Sequence, residues 1–197
     1  MRTLVVSLLI AAALLFGCTG SPINEGMTVD GKAYRGAANP KVVMYEYSDF
    51  ECPFCGKVQP AVEEVLRAYP ETVQLQYRHY PLVDTHPRSF PSAITAVCAE
   101  KQGKFWQLHD KMFANQQALS DSDLRKYASE AGMNLTEYDS CISSDETAQT
   151  VRGDMLVGNS IGVQATPTFT VGGSQVRGAQ PFSKFKQAID SELARIG

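Results

Sequence analysis

Two cysteines separated by two residues constrain the fold of this chain more than any other feature. The motif Cys52-Pro53-Phe54-Cys55 follows an apolar, strand-like run at 41–48. The stretch after the motif is amphipathic, with apolar residues at helical spacing at Val58, Ala61, Val62, Val65, Leu66 and Tyr69. The motif therefore lies where a strand gives way to a helix. Two cysteines in that position can cycle between a dithiol and a disulfide.

The order of the remaining elements predicts a thioredoxin-type fold. Alternating residues at 72–79 indicate a second strand, so the chain opens with a β-α-β unit and a right-handed crossover. Residues 87–160 show helical patterns and no strand pattern. Two short strands around Gly172-Gly173 and a helix over 181–195 follow. The expected fold class is α/β, a thioredoxin fold with an inserted all-helical domain.

The N-terminus has the pattern of an export signal. Arg2 precedes an almost wholly apolar run at 4–16, which is shorter than the roughly 20 residues of a membrane-spanning helix. The run ends in Leu15-Phe16-Gly17-Cys18, which resembles a lipobox, the site where prokaryotic lipoproteins are lipidated on cysteine. We expect lipidation at Cys18; cleavage near Gly20 and an uncleaved anchor are the alternatives. All three place the folded part outside the cytoplasm.

These patterns divide the chain into four parts. Residues 1–18 are the predicted signal and lipoprotein segment, and residues 19–38 are a predicted tether that contains a short hairpin pattern around Asp30-Gly31. The predicted thioredoxin-like domain combines residues 39–86 with residues 161–197. Residues 87–160 form the predicted helical insertion.

The five cysteines are Cys18, Cys52, Cys55, Cys98 and Cys141. Lipidation of Cys18 would leave four, an even number for an oxidising compartment. Cys52 and Cys55 pair by proximity, which leaves Cys98 with Cys141. We interpret the second pair as a structural disulfide between two helices; an auxiliary redox couple and a zinc site are the alternatives. No histidine lies beside either pair at metal-ligand spacing, so we expect no metal and no cofactor.

The position of Cys52 at the start of a helix predicts a reactive thiolate. Unpaired N–H groups and the helix dipole favour negative charge there, so the pKa of Cys52 should lie below its ordinary value. Cys55, one turn further on and less exposed, is the predicted resolving thiol. We expect Asp49 and Glu51 to be exposed, with charges that oppose the thiolate. The three histidines, His79, His86 and His109, are expected to be structural or solvent-facing.

Four separated segments resemble the DsbA-like thiol:disulfide oxidoreductases, in the order that this family has them. The segments are 45–55, 78–82, 102–106 and 165–169, and the resemblance covers about residues 38–196. The resemblance implies a cis peptide bond at Thr166-Pro167, facing the cysteines, with adjacent backbone that binds a substrate strand. It also implies that Glu46 is a buried acid that accepts or relays the proton of Cys55.

The leading hypothesis is an extracytoplasmic enzyme that introduces disulfides into secreted proteins by exchange at Cys52 and Cys55. Its expected partners are reduced client proteins and a membrane reoxidising partner that resembles DsbB or VKOR. A disulfide reductase or isomerase is one alternative. Another is a non-catalytic lipoprotein that binds or chaperones partners with its first cysteine pair locked. The net charge of −3 argues against a nucleic-acid partner.

Overall fold

The computed structural model describes residues 23–197. The predicted signal segment 1–18, with the predicted lipidation site Cys18, lies outside the described residues. Over residues 23–197, no helix combines the length and the apolar character needed to cross a membrane.

The described part of the chain forms one mixed sheet and a set of helices. The strands are β1 (Glu25–Met27), β2 (Ala33–Gly36), β3 (Val42–Ser48), β4 (Val73–His79), β5 (Thr168–Val171) and β6 (Ser174–Arg177). The helices are α1 (Pro53–Ala68), α2 (Ser89–Lys101), α3 (Phe105–Ala114), α4 (Asp121–Glu130), α5 (Leu135–Ile142), α6 (Asp145–Ser160) and α7 (Phe182–Ile196). The prediction of an α/β fold of thioredoxin type is confirmed.

The strand order β1-β2-β4-β3-β5-β6 puts β3 and β4 in the middle of the sheet. These two strands are parallel, with Ser48 opposite His79, as the β-α-β unit requires. On its other side β3 runs antiparallel to β5, with Glu46 opposite Phe169. The end of β3 therefore lies inside the sheet, and the turn that carries Cys52 follows directly from it.

The start of the described chain corrects the predicted tether. Residues 25–36 form a hairpin, and its second strand, β2, pairs antiparallel with β4. Gly31 supplies the positive φ of 80° that the turn needs, and Ala33 is buried. Because β1 and β2 extend the sheet beyond β4, with β1 at its edge, this part of residues 19–38 belongs to the folded domain.

The helices between β4 and β5 occupy the stretch predicted as a helical insertion, and the proposed domain division stays a prediction. A single cluster of buried side chains joins the sheet to these helices. It includes Phe50 and Tyr77 next to the sheet and Phe105, Leu108 and Met112 on α3. The helical block thus packs on the same hydrophobic core as the strands.

A disulfide links two helices of this block. The structure joins Cys98 in α2 to Cys141 in α5, with an S–S distance of 2.05 Å and a Cα–Cα distance of 5.9 Å. Cys98 is fully buried, whereas Cys141 is partly exposed. The bond ties the edge of the block to its centre.

Candidate active site

Cys52 is the residue at which α1 begins. Its backbone is extended, with φ −70° and ψ 120°, and Pro53 occupies the first helical position, where its missing N–H is harmless. The Cys52 N–H donates to the Asp49 carbonyl oxygen at 3.1 Å, and the Cys52 carbonyl accepts from the Cys55 N–H at 3.1 Å. These bonds form a tight turn that presents the Cys52 side chain at the helix N-terminus.

The two thiols of the motif have opposite electrostatic environments. A hydrogen bond from Cys55 lowers the pKa of Cys52 to about 5, and the N–H groups of Cys55 and Phe54 at the helix start add to this effect. Burial raises the pKa of Cys55 well above its ordinary value, and the neighbouring Cys52 raises it further. In this structure Cys52 and Cys55 are both free thiols and are not joined by a disulfide. Cys52 is 3% exposed, and Cys55 is fully buried. The arrangement favours a thiolate at Cys52 and a neutral thiol at Cys55.

The loop before β5 lies against Cys52. The Cys52 thiol lies 3.5 Å from the Thr166 carbonyl oxygen. The peptide bond between Thr166 and Pro167 is cis. The Pro167 carbonyl accepts from the Gly178 N–H at 2.8 Å, which fixes this loop to the segment after β6. The structure therefore brings the predicted loop residues and the cysteine motif together.

Glu46 lies on β3 and is fully buried. The Gln59 side-chain amide donates to Glu46 Oε1 and to the Cys55 carbonyl, at 3.0 Å each. Burial raises the pKa of Glu46 to about 7, although the nearby Ser48 hydroxyl and the hydrogen bond from Gln59 lower it. The Ser48 hydroxyl also lowers the pKa of Cys55. A carboxyl group that titrates near neutrality is thus linked through Gln59 to the residue with the more basic thiol.

We expect the Glu46→Gln substitution to remove a pH-dependent loss of stability. The pKa of Glu46 rises from 4.5 to about 7 on folding, so the folded state keeps a proton that the unfolded state releases. Wild-type stability should therefore fall as the pH rises from about 4.5 to about 7, by roughly 3 kcal/mol. Urea unfolding across this pH range measures the slope, which should flatten in the variant.

The exposed Glu64 on α1 supplies a control for the loss of a carboxylate elsewhere in the domain. Glu64→Gln should keep the wild-type slope. A Glu46→Gln variant whose unfolding free energy still falls with pH as in wild type would show that other groups cause the slope.

Asp49 corrects the expectation of an exposed acid before Cys52. It is 2% exposed, and its Oδ1 accepts from the Glu51 N–H at 2.9 Å. Its Oδ2 accepts from the Leu82 N–H at 3.0 Å and lies 2.7 Å from Nδ1 of His86. Donors from two loops satisfy the carboxylate, which allows it to be buried. The hydrogen bond from the Glu51 N–H to the Asp49 carboxylate is a common local pattern for Asp. Only this contact could be predicted from sequence.

Gln116 is a second residue that sequence reasoning missed. It follows α3, and its side-chain amide donates to the carbonyl oxygens of Phe50 and Cys52, at 2.8 Å each. A Cβ atom at Gly56 would lie 2.3 Å from Gln116 Oε1, so glycine leaves room for this clamp. The helical block therefore holds the backbone of the reactive turn directly.

His79 and His109 lie in the core, in line with the structural role expected for them. Burial lowers the pKa of His79 to about 3 and also lowers the pKa of His109. Nδ1 of His109 lies 2.8 Å from Asp110, and its ring packs against Trp106 and other aromatic residues. Within residues 23–197, no three His, Cys, Asp or Glu side chains are grouped to hold a metal ion.

Comparisons with known proteins agree with this geometry. The family model described as Thioredoxin matches residues 28–191. Na(+)/H(+) antiporter NhaA 3 of Salinispora tropica is 35% identical over 160 residues, which are 81% of this chain and 24% of that protein. Na(+)/H(+) antiporter NhaA 1 of Mycolicibacterium gilvum is 32% identical over 159 residues, 80% of this chain and 26% of that protein. The chain thus spans about a quarter of the length of these curated relatives.

Solved structures show the same fold. A thioredoxin-like oxidoreductase from Silicibacter pomeroyi DSS-3 has a TM-score of 0.76 at 24% identity, covering 85% of this chain and 94% of that one. A periplasmic thioredoxin-like protein from Salmonella enterica serovar Typhimurium has a TM-score of 0.70 at 23% identity, with coverage of 83% and 91%. The thiol-disulfide exchange protein alpha-DsbA2 from Wolbachia pipientis has a TM-score of 0.72 at 18% identity, with coverage of 80% and 85%.

Proposed function

This chain belongs to the thioredoxin family, and we propose that it is a thiol:disulfide oxidoreductase that oxidises dithiols in client proteins. One observation carries the proposal: the two thiols at the start of α1 have pKa shifts in opposite directions. A thiolate at Cys52 is a good leaving group and stabilises the reduced enzyme. Both properties make the Cys52–Cys55 disulfide an oxidant.

The reaction begins from the oxidised enzyme. A client thiolate attacks Sγ of Cys52, the Cys52–Cys55 bond breaks, and a mixed disulfide forms while Cys55 leaves as a thiolate. Because the pKa of Cys55 is high, this thiolate takes up a proton, and Glu46 is the adjacent acid that can supply it. A second client thiolate then attacks the client sulfur, and Cys52 leaves as a thiolate. The client loses two electrons, and the enzyme gains them as a dithiol.

The loop at Thr166 is the proposed docking place for the client backbone. Its carbonyl lies 3.5 Å from Cys52, so a client strand beside it would bring a cysteine close to the reactive sulfur. Thr166 and Pro167 bind rather than react in this scheme. Cys98 and Cys141 keep the proposed structural role, because their disulfide lies between α2 and α5 and not at the start of α1.

We place this activity outside the cytoplasm, on the membrane or in the periplasm. The apolar N-terminal run that ends at Cys18 supports export and a lipid anchor. The periplasmic protein from Salmonella with the same fold is in keeping with that location. Each turnover leaves a dithiol, so a two-electron oxidant must regenerate the disulfide, and the proposed oxidant is a DsbB- or VKOR-like membrane partner. The antiporter names describe proteins of which this chain spans about a quarter, and we propose no transport activity.

The reduction potential of the Cys52–Cys55 pair tests this proposal. It is measured by equilibrating the purified protein with glutathione buffers and quantifying the dithiol by thiol alkylation and mass spectrometry. We expect a value near about −120 mV, typical of a dithiol oxidase. A value near about −270 mV would assign a reductase instead. A pair that reduces but transfers no disulfide to a reduced two-cysteine peptide would favour the non-catalytic alternative.

A further inference from the structure

Asp49 connects the reactive turn to the loop after β4. One carboxylate oxygen accepts from the Glu51 N–H, next to Cys52, and the other accepts from the Leu82 N–H. The Asp49 carbonyl also accepts from the Cys52 N–H at 3.1 Å. The residue that holds His86 is therefore bonded directly to the backbone of Cys52.

His86 completes the shell of donors around this carboxylate. Its Nδ1 lies 2.7 Å from Asp49 Oδ2, and its side chain is about one-fifth exposed. An ionised carboxylate only accepts hydrogen bonds, so Nδ1 carries the proton in this contact. A buried carboxylate without a cationic partner is costly, which favours a proton on the second ring nitrogen as well. This contact agrees with a structural role for His86 and leaves open whether its charge also acts on Cys52.

The charges around the imidazole come mainly from the reactive turn. Burial lowers the pKa of His86, but the Asp49 hydrogen bond and nearby negative charges raise it overall. The groups whose charges raise it are Asp49, Cys52 and Glu51. On the other side, Arg88 at the start of α2 directs its guanidinium to the Leu119 carbonyl and to Asp121. No described cation therefore replaces His86 beside Asp49.

We propose that His86 is a positioning residue for disulfide exchange: held by Asp49, its imidazolium stabilises the thiolate of Cys52. The effect must be mutual, because a thiolate that favours the imidazolium is favoured by it to the same extent. The inference rests on the proposed function, since it assumes that the Cys52 thiolate takes part in exchange. The same geometry would otherwise be a loop anchor whose charge has no effect on Cys52.

A pair of His86 variants separates these two roles. Asparagine keeps an amide N–H near the position of Nδ1 but carries no charge, whereas alanine removes both the donor and the charge. The readout is the ultraviolet absorbance of the Cys52 thiolate against pH in the reduced protein, with the oxidised protein as the blank. We expect the midpoint to rise by about one unit in His86→Asn and by a similar amount in His86→Ala.

Asp84, an exposed acid on the same loop, provides the matched control. Asp84→Asn should leave the midpoint unchanged. The stabilisation lost in His86→Asn should also make the reduction potential more negative, by about 30 mV for a tenfold change in the exchange equilibrium. A wild-type midpoint in His86→Asn, whether or not His86→Ala shifts it, would overturn the proposal and leave a loop anchor.

The titration does not depend on turnover. If the protein fails to oxidise a reduced two-cysteine peptide, the proposed function fails, yet a shifted midpoint would still assign the electrostatic role to His86. If the peptide is oxidised and the midpoint does not move, only the role of His86 fails. Melting temperatures of the variants show whether a shift accompanies a loss of folding.

Discussion

Replacing Cys52 with alanine should abolish disulfide exchange with reduced clients, lowering the rate by roughly a thousandfold or more. Cys52 is the only described thiol with a lowered pKa, and the hydrogen bond from Cys55 is the largest cause of that shift. Cys55 cannot replace it, because burial raises its pKa well above the ordinary value and keeps the thiol protonated. The measurement is the rate at which the oxidised protein forms a disulfide in a two-cysteine peptide.

The companion substitution Cys55→Ala should give a different result. When Cys52 of this variant is first joined to glutathione by oxidised glutathione, the thiolate of a single-cysteine peptide can attack Cys52 Sγ and displace glutathione as the leaving thiolate. Neither Cys55 nor a second peptide thiol is then present to release the peptide, so the covalent complex should persist. Non-reducing electrophoresis and mass spectrometry detect it. Turnover by Cys52→Ala would assign the chemistry to another residue. Failure of Cys55→Ala to trap any client would favour a protein that binds partners without exchange.

Removing the Cys98–Cys141 disulfide should lower the free energy of unfolding by about 4 kcal/mol. The bond closes a loop with a sequence separation of 43 residues, and its loss gives the unfolded chain the entropy of that loop. The variant is the double substitution Cys98→Ala and Cys141→Ala, and urea unfolding of both proteins with the active-site pair oxidised and no reductant present measures the difference. Alanine avoids placing new hydroxyl groups at the buried Cys98 position.

Exchange activity in the same double variant distinguishes the roles of this pair. A structural disulfide predicts that the folded variant oxidises the peptide at the wild-type rate. A loss of exchange with intact folding would favour the auxiliary redox couple instead. A stability loss well below about 1 kcal/mol would show that the loop is already constrained in the unfolded chain.

The elements that could be predicted are those whose structure is determined by residues close to one another in sequence. The run that becomes β3 is apolar and β-branched, and α1 shows its apolar face over a few turns, so both were identified from local pattern. Cys52 and Cys55 lie within one turn of each other, and the helix-start effect on their acidity is equally local. The β1–β2 hairpin was only half predicted, since its turn is local but its pairing with β4 is not.

The residues that were missed owe their positions to contacts between distant segments. Asp49 was expected in solvent because an acid in a loop usually is exposed. Its burial depends on donors from Leu82 and His86, which a linear pattern does not bring together. Gln116 follows Cys52 by 64 residues and has no motif of its own. Such partners become visible only when the loops are placed in space.

The hydrogen bonds from Gln116 affect whether the reactive segment would keep its conformation in another protein. The Gln116 amide grips the carbonyl oxygens of Phe50 and Cys52, and the chain reaches it only after α2 and α3. The backbone conformation of residues 50–56 thus depends in part on a side chain from a loop distant in sequence. Grafting these residues onto a smaller scaffold of the same fold would transfer both cysteines but not the two hydrogen bonds from Gln116 that hold their backbone.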